Sequence, residues 1–530
     1  MKHEHKTQVW TKILVAVGLA TVGVALLLAP MVARADYVHV PAGSSLQTAI
    51  DNADPGDVIR VEAGTFAESL VITKSLTLEG GYNSGFTSRT PRTTVIAPAS
   101  GRAISIIESG IAVTIDGFEI RGGDAGSGNG GGIYVDVEAG SSVTITDNFV
   151  HDNAATDGGG IYAEADVSTL VITGNDVMTN TTTDDYAGFY ARVYTGTFAL
   201  VDNDIVGNAS GDYYGGFYAD VNYASTFAVE DNLVMSNTAT ATTYDDCGGF
   251  RFAAGGDSHG TFDRNQIVGN QAGDRWGGGY VRITQNSGTT FNDNVFRGNK
   301  ADTYAGLFLT VQSGGQVTGD GLQLVDNQAG AYVGGGIVSV QDASVTLLGV
   351  QVIDNQAGSN AGGLRVDVLS GAFLEIEDGY FENNSAGADG GGLYIDSVGG
   401  TFRLVQSNFF SNKAGGQGGG LGSRLTARLG GRLEIDQVQF ADNEADGDGG
   451  GLYLADIDAT SMVTVTDSVI EGNTADGDYG GMYANSIGDV VVQTSAISGN
   501  VAQGCGGGLG LDGSGTYILK RNRILDNDAG

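Results

Sequence analysis

The sequence predicts an all-β protein, a parallel β-helix solenoid of about eighteen coils with a short N-terminal capping helix. Three observations carry this reading. A phrase of fixed form recurs fourteen times: an apolar residue, two spacers, an asparagine, a polar turn, small residues that are mostly glycine, and a new alternating run. The asparagines, from Asn153, Asn180 and Asn208 through to Asn500 and Asn527, follow one another at intervals of 27 to 33 residues, and self-similarity at such a period marks a solenoid. The residue three places before each asparagine is apolar in all fourteen copies, from Val150 to Ile524, which assigns that position to the core. The runs between corners alternate with period two, as in Val143-Thr144-Ile145-Thr146 and Val463-Thr464-Val465-Thr466, which is the period of a strand. Leucine-rich and ankyrin arrays share the period, but their leucine spacing and helical segments are missing.

Taken in order, residues 1–35 read as a signal peptide. Lys2, Lys6 and Lys12 precede or flank an apolar run over residues 13–29, and Ala33-Arg34-Ala35 gives a small-x-small cleavage pattern. An uncleaved membrane anchor is the alternative, and either one places the remaining chain outside the cytoplasm. Residues 36–109 make the N-terminal cap and the first coils. Val38-His39-Val40 is a strand. Ser45-Leu46-Gln47-Thr48-Ala49-Ile50 reads as the short helix, with a serine at its start, laid over the open end of the core. Residues 110–530 are the repetitive β-helix. Each asparagine is expected to adopt the left-handed conformation of a sharp turn and to hydrogen-bond to its neighbours above and below. The long interval between Asn237 and Asn270 places extra residues at 238–246, in a loop expected to protrude. Ala529-Gly530 fall where another glycine-rich strand is due, so either the last coil is expected to be open, offering an edge for self-association, or a further module once followed it.

The alternation of apolar-x-x-Asn motifs, such as Phe296-Arg297-Gly298-Asn299, with Gly-Gly-apolar motifs, such as Gly158-Gly159-Gly160-Ile161, resembles the repeats of the polymorphic outer membrane protein family. More broadly it is similar to the right-handed parallel β-helix group with the pectin-lyase-like fold. The resemblance implies a right-handed coil. Its members include adhesins, autotransporter passengers and polysaccharide-cleaving enzymes, so it implies a fold more than an activity.

Sixty-two acidic residues face 26 basic ones, a formal net charge of −36, which argues against nucleic acid as a partner. The balance is compatible with calcium, with a cationic surface or with solubility alone. Cys247 and Cys505 lie nine coils apart, about 43 Å at about 4.8 Å per coil, far beyond disulfide reach. Each fills a small-residue slot, with intermolecular pairing through Cys247 as the alternative.

Three groups of residues are candidates for function. Tyr134, Tyr162, Tyr190 and Tyr218 follow the Gly-Gly corner in four consecutive coils and should form an outward aromatic column, with Asp136, Glu164, Arg192 and Asp220 two residues further on. A sugar could lie on such a stripe, though like side chains also stack simply to stabilise a sheet. The column is expected to slip by one residue at 277–280 and at 334–337. Asp446, Asp448, Asp476 and Asp478 crowd one corner of adjacent coils and could bind calcium, the one cofactor the sequence points to; solvated turn aspartates are the plainer account. Asp245, Asp246, His259 and Arg282 resemble, in order, the Asp-Asp, Gly-His-Gly and Arg-Ile-Lys stretches of polygalacturonases, with Ser258 replacing the first glycine and Thr284 the lysine. By that resemblance the carboxylates would be acid and base for glycosidic cleavage.

The uniformity of the repeats favours a secreted or cell-surface protein with a structural, adhesive or glycan-binding role and no catalysis, its partner an extracellular glycan or a cell-surface molecule. The alternative is a polysaccharide lyase or glycoside hydrolase acting on an acidic polysaccharide.

Overall fold

The computed structural model describes residues 36–241, 246–424 and 430–530. The signal peptide expected at 1–35 and residues 242–245 of the long loop, Asp245 among them, lie outside the described residues. Each coil makes up to four strands in a fixed order. In one coil these are Phe217–Asn222, Thr226–Glu230, Leu233–Met235 and the two-residue Thr238–Ala239. The chain then turns through Gly248-Gly249 into the next coil. Strands of each kind stack on their counterparts, giving sheet 1 with 16 strands, sheet 2 with 18, sheet 3 with 17 and sheet 4 with 14. All these pairings are parallel, and most run in unbroken register, as when Phe217 to Val221 pair with Phe250 to Ala254; the register shifts within a strand at Arg60/Glu62, Val366/Asp367 and Leu454/Ile457. The protein is a right-handed parallel β-helix of the size the repeats predict.

Alternation within each strand sends one set of side chains inward. In the coil above, Phe217, Ala219, Val221, Phe227, Val229 and Val234 are all at most 5% exposed. They belong to one unbroken core that runs from Val40 to Ile497. At its N-terminal end lies helix α1 (Leu46–Asn52), which buries Leu46 and Ile50. Ser45 caps it by accepting a hydrogen bond from the Thr48 N–H at 3.1 Å, and Glu68 accepts from the N–H groups of Leu46 and Gln47. The helix thus satisfies its orphan donors while covering the core. At the other end, Leu519 and Ile524 are 48% and 44% exposed, whereas Val492 and Ile497 in the coil beneath them are fully buried.

The corners are held by buried asparagines. Each of the fourteen repeat asparagines but the last donates its side-chain amide to the side-chain oxygen of the next, as Asn270 to Asn299 at 3.1 Å and Asn299 to Asn327 at 3.0 Å. The same amide also donates to a main-chain carbonyl of the preceding coil, Asn299 to Ile267 at 3.0 Å, and the side-chain oxygen also takes the neighbour's main-chain N–H. The left-handed conformation expected of these asparagines belongs instead to the residue before each, such as Asp152 (φ 53°), Thr179 (φ 52°) and Asp326 (φ 52°). Asn is used here for its two-sided amide rather than for its tolerance of positive φ. A second ladder, between sheets 2 and 3, runs Asn148, Asn175, Asn203, Asn232, Asn265, Asn294. It gives way to Leu322 and Val350, and serine hydroxyls take over at Ser407, Ser468 and Ser495. The step into sheet 1 requires glycine. A Cβ on Gly306 would sit 1.7 Å from the carbonyl oxygen of Gly335.

Replacing Asn299 with alanine strands the donors of Asn270 and the carbonyl of Ile267 in a dry interior, and should lower stability by roughly 3 kcal/mol at about 1–3 kcal/mol per unsatisfied group. Gln328→Ala, one position after the next ladder asparagine, should cost less than 0.5 kcal/mol by the usual order of magnitude for surface changes, about ±0.5. Urea denaturation of both variants checks this; equal midpoints would remove the ladder from any account of stability.

Candidate functional site

The outer face of sheet 1 carries the most distinctive chemistry. The Gly-Gly corner is followed by one inward residue and then by one outward residue. In-register pairing therefore lines the outward residues up as Tyr134, Tyr162, Tyr190, Tyr218, Arg251, Tyr280 and Phe308. The first four rings stack at centroid separations of 5.7, 4.6 and 5.3 Å, tilted by no more than 16°. Tyr280 and Phe308 stack at 4.9 Å. The expected slip at residues 277–280 does not occur. Gly279 occupies the inward position, where a Cβ would lie 2.4 Å from the Phe250 ring, so Phe250 fills the space that two side chains would contest. Gly336 likewise pairs with inward Leu307 and Leu364, leaving Ile337 in the column.

A second aromatic column flanks the first. It comes from the residue just before each Ala-Gly or Gly-Gly pair: Tyr186, Tyr214, Cys247, Trp276 and Tyr304. Tyr186 stacks on Tyr214 at 5.2 Å, and Trp276 lies 4.9 Å from Tyr280 and 5.6 Å from Phe308. Tyr186, Tyr214 and Trp276 hold φ values of 63°, 58° and 48°, where other coils place Gly158 or Gly390. Bulky residues rarely adopt this region, at a cost of about 1–3 kcal/mol each. Tyr214 and Trp276 are 4% and 5% exposed, and Cys247 between them is fully buried, which removes it as a route to a covalent dimer. Burial pushes the phenols of Tyr186 and Tyr190 well above their ordinary range, so the face stays uncharged there.

The polar row two residues along is partly committed. Glu164 accepts from the Tyr162 hydroxyl at 2.9 Å and from Arg192 at 2.9 Å, and the Tyr134 hydroxyl donates to Asp136 at 3.3 Å. Asp220 accepts from Tyr194 at 3.3 Å, and burial pushes its carboxyl pKa up.

The polygalacturonase-like residues are placed apart. Asp246 is fully buried and accepts from the main-chain N–H groups of Asp274 at 2.7 Å and Arg275 at 2.6 Å; burial pushes its pKa up to about 6. His259 opens the strand His259–Asp263 on sheet 2, paired with Thr226 and Gly288. Arg282 stands on sheet 1, paired with Ala253 and Thr310. Among the described residues no hydrogen bond or ion pair joins Asp246, His259 and Arg282.

The four corner aspartates expected to bind calcium are engaged separately, two by the backbone and two by side chains. Asp448 accepts from the Asp478 N–H at 2.7 Å, and Asp478 accepts from the Cys505 N–H at 2.6 Å. Asp446 lies 3.6 Å from the Lys413 ammonium, and Asp476 accepts from Gln503. A different trio, Asp184, Asp185 and Asp212, brings one carboxylate oxygen each within 4.8 Å of the others, the arrangement a hard cation needs. Burial first, then Asp184, Asp157 and Asp212, pushes Asp185 up to about 7.

A uniform β-helix with aromatic columns along one outer face defines a repeat protein of the parallel β-helix class. The family model of the right-handed β-helix region matches residues 92–246. The model of the Chlamydia polymorphic membrane protein repeat matches residues 378–396, which contain Phe381, Asn384 and the Gly390-Gly391-Gly392-Leu393 corner. A search of curated proteins finds no match. The chain is a β-helix repeat protein whose repeats resemble those of the polymorphic membrane proteins.

Asp185 gives a pH prediction. Its folded pKa of about 7 lies above the unfolded value of about 3.9, so the native state holds more protons than the unfolded state between them. This group's contribution to stability should therefore fall as pH rises from about 4 to about 7. Asp185→Asn keeps an acceptor for the Tyr213 N–H and should flatten that slope. Thermal midpoints measured from pH 4.5 to 8 check it; a slope unchanged by the substitution would assign the titration elsewhere.

Proposed function

We propose that the protein is a secreted or cell-surface β-helix scaffold that binds an extracellular glycan along the aromatic face of sheet 1 without cleaving it. The observation that carries this is the pair of adjoining aromatic columns, from Tyr134 to Phe308 and from Tyr186 to Tyr304. Stacking alone would explain one column of like side chains. It does not explain why aromatic residues are kept at positive φ beside it, where glycine is free of strain. A flat apolar surface edged by Asp136, Glu164 and Arg192 suits the C–H face of a sugar with hydroxyls at its rim. The surface location rests on the export signal read at residues 1–35 and on the membrane proteins whose repeats this chain resembles.

Two outcomes are expected. On a glycan panel, the binding partner should bind residues 36–530 and lose roughly tenfold in affinity, about 1.4 kcal/mol, with Tyr162→Ala or Tyr190→Ala. New reducing ends or unsaturated uronates that disappear with His259→Ala would defeat the non-catalytic reading. Export in a host with a secretory pathway should yield a chain starting at Asp36, read by N-terminal sequencing; retention of residues 1–35 would favour an uncleaved anchor.

A further inference from the structure

On the aromatic face, Arg251 and Arg282 stand on neighbouring coils. Several arginines elsewhere on the outer faces are matched: Arg89 by Asp116, Arg264 by Glu230 and Asp231, Arg403 by Glu375 and Glu434. Among the described residues, neither Arg251 nor Arg282 has a carboxylate within ion-pair distance. This is notable in a protein of net charge −36. Arg251 interrupts the outward column between Tyr218 and Tyr280, its guanidinium carbon 5.5 and 5.2 Å from their ring centres. One of its nitrogens donates to the Tyr214 hydroxyl at 2.9 Å. Arg282 is exposed in the next coil, in register with Ala253, which follows Arg251 by two residues on the same face. The small alanine leaves the outer surface open between the two positions.

Two buried donors at the same place lack an acceptor among the described residues: Nε of Arg251 and the indole Nε1 of Trp276, whose side chain packs on Tyr280. Trp276 is only 5% exposed. Buried donors are almost always paired, and a buried charge without a counter-ion costs more still. The positive charges of Arg251 and Arg282 act on Asp220 in the same row, but that carboxylate stands outside ion-pair distance of both and is engaged by Tyr194 and Asn222. Two arginines facing one committed acid, with unmet donors beside them, leave a place for an anionic acceptor beyond what the described residues supply. Arginine beside aromatic rings is well suited to hold one, since its planar fork binds carboxylate or sulfate while its face stays on the rings.

We propose that the stretch of this face between Tyr218 and Tyr280 is an anion subsite, and that the bound glycan is acidic, its carboxylate or sulfate held by Arg251 and Arg282. This rests on the glycan-binding reading and narrows it to one ligand class. The sugar ring lies on Tyr218 and Tyr280. Local attraction to the arginines overcomes the repulsion of the acidic scaffold only at contact distance, so added salt weakens the preference.

The test is calorimetric titration with a panel of oligosaccharides in matched neutral, uronic and sulfated forms. Wild type should prefer one acidic form over its neutral counterpart by tenfold or more, and which form wins identifies the anion. Arg282→Glu, at an exposed position that carries no core contact, should abolish the preference and leave neutral binding unchanged. Arg251→Gln should also abolish the preference, with circular dichroism guarding against loss of the fold. Equal affinity for acidic and neutral forms, or equal weakening of both by Arg282→Glu, overturns the anion subsite while leaving glycan binding in place. Failure of every glycan to bind overturns both.

Discussion

The structure depends on finding a partner for every polar group at its corners. Strands satisfy their own main-chain groups by pairing with the coils on either side, but a chain that turns three or four times per coil exposes N–H and carbonyl groups to the core at each turn. The asparagine ladders answer this. A single amide at Asn299 receives from Asn270, gives to Asn327, and closes the carbonyl of Ile267. Each ladder asparagine before Asn527 is at most 1% exposed yet hydrogen-bonded on both sides of its amide, which is the condition under which a polar group belongs in a core. Because each rung binds the next, a coil is completed only by its neighbours, as expected of a solenoid.

The same register that builds the ladder builds the surface. A residue placed outward in one coil is brought within a strand spacing of its counterpart in the next, so a repeated tyrosine becomes a stack without further design. The corner acids follow the same logic. Asp157, Asp185, Asp389, Asp448 and Asp478 each accept a main-chain N–H from the following coil. Much of the chain's negative charge at these corners therefore has a structural use. Against that background the positive-φ tyrosines and tryptophan stand out, since nothing in the stacking of coils requires them.

How far the sequence could be read depended on whether a residue repeated. The inner asparagine and the apolar residue three before it occur in every copy, so the coil, its period and its inward face were legible from them. The second ladder was legible too, in the five-residue spacing from Asn148 to Asn153 and from Asn175 to Asn180, but serine and leucine replace it after Asn294 and dilute the signal. The aromatic column was lost at Gly279, because a glycine in an inward slot looks like a shift of register unless Phe250 is known to fill its space. The flanking column had a plain signal, an aromatic residue before each Ala-Gly or Gly-Gly pair at Tyr186, Tyr214, Trp276 and Tyr304. What the sequence could not provide was the direction of a side chain at positive φ. That direction turns an apparent turn residue into part of the face.

The distribution of charge separates scaffold from function more sharply than the aromatic residues do. Aromatic stacks stabilise a sheet and so have a structural explanation available wherever they occur. Carboxylates at the corners have one as well, since the backbone consumes them. Cations on the outer faces are explained where an acid lies opposite, as at Arg264 and Arg403. Arg251 has no such account. It replaces a tyrosine in the column, gives up the ring contacts a tyrosine would have made, and gains a charge that no carboxylate among the described residues meets at ion-pair distance. In a repeat protein the cost of departing from the repeat falls on a single coil, so a departure that weakens the stack and is nonetheless present marks the position where the surface is specified by something outside the fold.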